Sequence, residues 1–166
     1  MLYRFYEWEV MRHLQSIPRY LCFMLSEEEM NHAPDMITQV VGWCLDISSE
    51  ITRRHPDEKG LMSITFHIST RSQHTPLPYL ASIQRIAEKA HLIIHFQDRT
   101  ERSGSGIPVA VAIGKSGREE IIDAIRRMAA QHLPPEEVDE HTIEQFLTFQ
   151  HTPDFVIKTG GSHLVD

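Results

Sequence analysis

The segment Pro153-Asp154-Phe155-Val156-Ile157-Lys158-Thr159-Gly160-Gly161-Ser162-His163 constrains the fold more than any other stretch of the chain. Phe155, Val156 and Ile157 form an unbroken apolar run of the kind that fills a strand buried on both faces. The run stops abruptly at Lys158, Thr159 and two glycines. A strand feeding a glycine loop at its carboxyl end fits an open α/β sheet, in which ligands collect at the strand ends. Paired glycines let backbone N–H groups approach an anion, and a lysine adds charge. An ordinary Gly-Gly turn after a buried strand would read the same way, so the segment needs support from the rest of the chain.

That support is an alternation of strands and helices. Leu2, Phe5, Tyr6 and Val10 give Met1–Gln15 a helical period, and Ile17–Leu25 reads as the first strand, with Pro18 at its entry. Ser26 with Glu29 forms a Ser-x-x-Glu capping box, and the helix that follows carries Met36, Ile37, Val40, Val41 and Trp43-Cys44-Leu45 to about Ile51. Arg53–Lys59 is a charged loop and Leu61–Ile68 a second strand. Pro76 and Pro78 open a helix over about Tyr79–Ala90, His91–Phe96 is a third strand, and Asp98–Gly106 reads as a polar, glycine-rich surface loop. Ile107–Ile113 is the fourth strand, and Gly114-Lys115-Ser116-Gly117-Arg118 turns into a helix bearing Ile121, Ile122, Ile125 and Met128. After Pro134-Pro135, a short helix with Ile143, Phe146 and Leu147 leads back to Phe155–Ile157. The pattern predicts one α/β domain over residues 1–166, a mostly parallel sheet of five strands with helices on both faces and right-handed crossovers.

Composition narrows the function classes. A formal net charge of −7 argues against a nucleic-acid footprint. No apolar run approaches the ~20 residues that span a bilayer, and the start lacks a basic-then-apolar signal, so a cytoplasmic protein is expected. The amphipathic Met1–Gln15 helix suits either packing against the domain, which Glu7 and Glu9 favour, or peripheral contact with a membrane surface. Cys22 and Cys44 sit in apolar contexts and read as reduced core thiols. His91 and His95 are the pair at metal-like spacing among 11 histidines, but they bracket Leu92-Ile93-Ile94 and no third ligand is at hand, so no metal site is expected. Gly114-Lys115-Ser116 resembles the end of a phosphate-binding loop, yet that pattern needs glycine where Val109 stands, inside a strand.

Gly117-Arg118-Glu119-Glu120-Ile121 followed by Ile157-Lys158-Thr159-Gly160-Gly161 resembles the cis-prenyltransferase family, the undecaprenyl and dehydrodolichyl diphosphate synthases. These carry Gly-Arg-Glu-Glu-Ile and Ile-Arg-Thr-Gly-Gly in the same order. The resemblance covers Ile107–His163 most firmly. It implies isoprenyl diphosphate substrates and a diphosphate-binding set of Lys158, Thr159, Gly160 and Gly161, with Arg118 either a ligand or an anchor of the architecture.

The departures from the family are equally specific. Where the family carries Asp-Gly-Asn and an arginine after its first strand, this chain reads Ser26-Glu27-Glu28-Glu29. Three glutamates there would repel a diphosphate, and the cap would occupy the helix end that otherwise receives it. The family's Ser-Thr-Glu-Asn element reads Ser69-Thr70-Arg71-Ser72, and the helical lid over the product tunnel is short, which implies little room for a long product. Leu164 stands at the family's second diphosphate-binding arginine, and the sequence stops at Asp166, so the family's C-terminal part is expected to be missing. No catalytic residue is assigned. The resemblance therefore points to a non-catalytic subunit that joins a catalytic cis-prenyltransferase subunit or pairs with itself, with magnesium entering only if the complex is active. The alternatives are an active enzyme condensing isopentenyl diphosphate with an allylic diphosphate, and a truncated gene product.

Overall fold

Apolar side chains at every second position build the strands, and the connecting segments decide their order. The computed structural model describes residues 18–57, 59–70, 77–96, 99–115, 117–149 and 151–159. The expected Met1–Gln15 helix, Arg71, Ser72, Gly160, Gly161, Leu164 and Asp166 lie outside the described residues. The strands are β1 (Tyr20–Ser26), β2 (Ser63–Ser69), β3 (His91–Phe96), β4 (Arg99–Ser103), β5 (Pro108–Ile113) and β6 (Phe155–Lys158). They form one sheet in the order β4-β3-β5-β2-β1-β6, parallel throughout except for β4.

The helices are α1 (Glu27–His32), α2 (Met36–Arg54), α3 (Leu80–Gln84), α4 (Gly117–Ala130) and α5 (Glu140–Phe146). The single helix expected over Tyr79–Ala90 is instead α3 tightening into a 3-10 turn over Arg85–Glu88. The steps β1 to β2 to β3 run one way along the sheet and the step β5 to β6 runs the other. Right-handed crossovers then put α2 and α3 on one face and α4 and α5 on the opposite face.

The first face holds the main core. Phe23 and Leu25 of β1, Ile64, Phe66 and Ile68 of β2, and Val109, Val111 and Ile113 of β5 alternate inward against Met30, Ile37, Val41 and Ile83 of the helices. Phe23 and Phe66 stack with ring centroids 5.0 Å apart. The second face is built of smaller or more polar side chains, among them Thr65, His67, Ala110 and Ala112, and receives Ala124 and Met128 of α4. The remaining large apolar residues of α4, Ile121, Ile122 and Ile125, are exposed. Cys22 is buried on β1, while Cys44 on α2 is half-buried, and burial raises the pKa of both thiols.

Two expectations fail for identifiable reasons. Asp98–Gly106 is not simply a loop: Arg99–Ser103 forms β4, an antiparallel edge strand that makes the sheet six-stranded rather than five-stranded. All of its residues are exposed, so it owes its place to backbone pairing with β3 and leaves no apolar period to read. Its return depends on Gly104, at φ +75°, where a Cβ would stand 2.2 Å from the Ala90 carbonyl oxygen. The second failure is Phe155–Ile157, which is not buried on both faces. β6 pairs only with β1, leaving Phe155 55% and Val156 50% exposed, while Ile157 packs on the core. Asp154 fixes the register: its carboxylate accepts the N–H groups of Arg19 (2.7 Å) and Tyr20 (3.0 Å), and its own N–H donates to the Tyr20 carbonyl (2.9 Å).

Candidate functional site

Because β3, β5, β2, β1 and β6 run parallel, their carboxyl ends lie along one margin of the sheet, where this architecture collects ligands. At that margin β1 ends on Ser26, whose extended backbone (φ −94°, ψ 156°) makes it the N-cap of α1. The capping box is complete. Ser26 Oγ accepts the Glu29 N–H (3.3 Å), and Glu29 Oε2 accepts the Ser26 N–H (2.8 Å) and hydroxyl (2.9 Å). Partial burial pushes the Glu29 pKa up, but hydrogen bonds from the Ser26 backbone and hydroxyl and from the Thr159 side chain outweigh it and hold the carboxyl below its ordinary value. The carboxylate is therefore kept charged, with Oε2 engaged by Ser26.

The neighbouring strand ends close around it. Thr70 Oγ1 donates to Glu27 Oε2, and Ser69 Oγ donates to the Leu25 carbonyl at 3.2 Å. The Gly114 N–H donates to the Ile68 carbonyl (2.9 Å); this glycine sits at φ +69°, and a Cβ on it would lie 2.9 Å from Thr70 Cγ2. The Thr159 N–H donates to the Met24 carbonyl (3.1 Å), which seats Thr159 beside Glu29.

Of the expected site residues, the structure brings Thr159 into this cluster and places Lys158, with an exposed side chain, opposite Met24 at the end of β6. Arg118 is exposed in the first turn of α4 and makes no hydrogen bond or ion pair with a described residue. Gly160 and Gly161 lie outside the described residues.

The sequence reading missed Tyr79. It is fully buried, its hydroxyl has no hydrogen-bond partner among the described residues, and burial together with the charge of Glu27 pushes its pKa up to about 12. No local motif marks it, because it meets the margin only through the packing of α3.

This margin is thus rich in carboxylates, with one oxygen of Glu27 and one of Glu29 already accepting hydrogen bonds, and the Glu29 N–H, which an oxyanion could otherwise take, is capped by a side chain. Among the described residues no group of three His, Cys, Asp or Glu could hold a metal ion, and no helix is long and apolar enough to cross a membrane.

Comparison with known proteins supplies the remaining information. A family model described as putative undecaprenyl diphosphate synthase matches residues 22–165. The chain is similar to the tritrans,polycis-undecaprenyl-diphosphate synthase (geranylgeranyl-diphosphate specific) of Thermoplasma volcanium, 23% identical over 157 residues that cover 78% of this chain and 60% of that protein. It is similar also to the isoprenyl transferase of Thermus thermophilus, 28% identical over 152 residues, 74% of this chain and 58% of that one. The chain therefore spans about 60% of the length of these relatives. Among solved structures, lavandulyl diphosphate synthase from Lavandula x intermedia in complex with dimethylallyl diphosphate superposes with a TM-score of 0.52 at 17% identity, over 89% of this chain and 79% of that one. At that identity the likeness is one of fold.

Proposed function

The chain belongs to the undecaprenyl diphosphate synthase (cis-prenyltransferase) family, and from that membership we propose that it is a non-catalytic subunit of a polyprenyl diphosphate synthase, working beside a catalytically complete family member. The observation that carries this reading is the end of β1. A site that receives a diphosphate needs free backbone donors and positive charge, whereas here the Glu29 N–H is capped by Ser26 and Glu27 and Glu29 bring negative charge. Loss of one preorganised donor commonly costs about 3–4 kcal/mol in a transition state, and here the whole loop is altered. Isoprenyl diphosphates would be held chiefly by the partner, with Lys158, Gly160 and Gly161 contributing at the edge of a shared site. Magnesium would be bound by the partner's own carboxylates. The exposed Phe155 and Val156 on β6 and Ile121, Ile122 and Ile125 on α4 support association.

The test is co-expression with a complete cis-prenyltransferase from the same cell, followed by size-exclusion chromatography and incorporation of labelled isopentenyl diphosphate. The expected result is a mixed complex with altered turnover or product length, and no product from this chain alone, including a Ser26→Asp variant in which the glutamates remain. Product from the isolated chain above a no-enzyme control would make it an enzyme in its own right. A stable monomer that leaves the homologue's size and turnover unchanged would remove the subunit reading.

A further inference from the structure

A second concentration of charge lies on the α4 face of the sheet and has the opposite sign. Alternation along β4 sorts its side chains: Thr100 stands opposite His95 and Arg102 opposite Ile93, both pairs on the α4 face, while Glu101, opposite Ile94, is sent to the other. Thr100 and Arg102 border a cleft of about 590 Å³, within the range of organic-ligand sites. Its other walls are Lys115 from the turn after β5, Arg126 and Arg127 of α4, and the segment 147–149.

The charges do not cancel within this cleft. Among the described residues Arg102, Lys115, Arg126 and Arg127 oppose two carboxylates, Asp123 in the lining and Glu120 just behind segment 148–149, leaving an excess of two positive charges (four minus two) in a chain of net −7. Asp123 is already paired, with Lys115 Nζ at 2.7 Å and an Arg126 nitrogen at 3.4 Å. Glu120, the other carboxylate nearby, accepts the N–H groups of Thr148 (2.7 Å) and Phe149 (3.1 Å) through one oxygen. Arg127 is fixed in place by donating to the Phe146 carbonyl (3.1 Å) and Thr148 Oγ1 (3.3 Å). His95 senses the resulting field: burial first, then the charges of Lys115 and Arg102, lower its pKa. An apolar wall completes the cleft. Phe149 stands edge-on to His67 and His95, at centroid distances of 4.9 and 5.4 Å, and Leu147 and Ile93 extend the surface.

We infer that this cleft binds a small phosphorylated organic anion, its charged group among Arg102, Lys115, Arg126 and Arg127 and its carbon portion on Phe149, Leu147 and Ile93. Planar guanidinium forks match phosphate oxygens, and the excess of positive charge suits an anion of charge two or more. None of the residues lining this cleft belongs to the acidic cluster around Ser26, and Lys115 follows directly on Gly114 of that cluster.

The experiment is an NMR titration of the ¹⁵N-labelled chain with phenyl phosphate and with inorganic phosphate. The expected result is saturable shifts at the amides of Arg102, Lys115, Thr148 and Phe149, with phenyl phosphate bound more tightly than inorganic phosphate. The double variant Arg102→Glu/Arg126→Glu alters two exposed side chains and should weaken phenyl phosphate binding about tenfold or more, as expected for reversed charges a few ångströms from a dianion. The charge-matched control Lys59→Glu/Lys89→Glu, exposed and away from the cleft, should bind like the parent. Shifts confined to residues 26–29, 70 and 159, an equal loss in the control, or equal affinity for the two phosphates would overturn the inference.

Discussion

Replacing Ser26 by Ala removes two of the contacts that define the capping box, the acceptor for the Glu29 N–H at 3.3 Å and the donor to Glu29 Oε2 at 2.9 Å. The Ser26 N–H bond to the same carboxylate is left in place. Loss of an N-cap costs about 1 kcal/mol within a range of roughly 0.5–2. α1 has only six residues and is held to the domain by Met30, which is completely buried, so it has little helical stability of its own to absorb the loss. For a chain of this size a deficit of 1 kcal/mol lowers Tm by about 2–4 °C, and with a urea slope near 2 kcal/mol/M it lowers the unfolding midpoint by about 0.5 M.

The pH dependence of that deficit has a fixed sign. Glu29 has a folded pKa below its ordinary 4.5, so its contribution is present above 4.5 and is lost as pH falls through the folded value. The gap between parent and Ser26→Ala should therefore narrow as urea melts are repeated below pH 4.5. An unchanged midpoint at neutral pH, or a gap that widens in acid, would refute this account of the β1 end.

Two other positions test the packing. Ser48 is 7% exposed and its hydroxyl accepts the N–H of buried Leu61 at 2.9 Å, so Ser48→Ala should cost about 1–3 kcal/mol by leaving that donor unpaired. Denaturation at an unaltered midpoint, with no faster hydrogen exchange at Leu61, would count against it. Tyr79→Phe deletes a buried hydroxyl that has no partner among the described residues, so stability should hold or rise by about 1 kcal/mol. A clear loss in the urea melt would mean that the hydroxyl is paired after all.

The sequence is most legible where one short stretch carries its own geometry. Ser26 and Glu29 announce a capping box because both partners lie within four residues, and β2 announces itself because Ile64, Phe66 and Ile68 alternate with polar residues. Reading fails where stability comes from outside the stretch. β4 has no apolar residue facing a core, and its strand character comes from the ladder with β3. Phe155-Val156-Ile157 has the letters of a central strand and the position of an edge, since its burial depends on a second neighbour that the topology does not provide. The cationic cleft was invisible for the same reason: its walls come from β3, β4, β5, α4 and the segment after α5, and the cations converge only once Arg102, Lys115 and Arg126–Arg127, spread over 26 positions of the chain, are folded onto one face of the sheet. Thr159, which the family motif implied as a diphosphate ligand, lies at the end of β6 beside Met24 and Glu29.

The two margins of the sheet are not equivalent. At one lies Arg99-Thr100-Glu101-Arg102-Ser103, wholly exposed and bearing charge at three of five positions, a composition that discourages a further strand from pairing there. At the other lies β6, short and apolar, with Phe155 and Val156 half in solvent. Among the described residues, strand-to-strand addition would thus favour the β6 edge over the β4 edge, and two sheets meeting through β6 would each turn outward a charged β4 edge that resists further pairing.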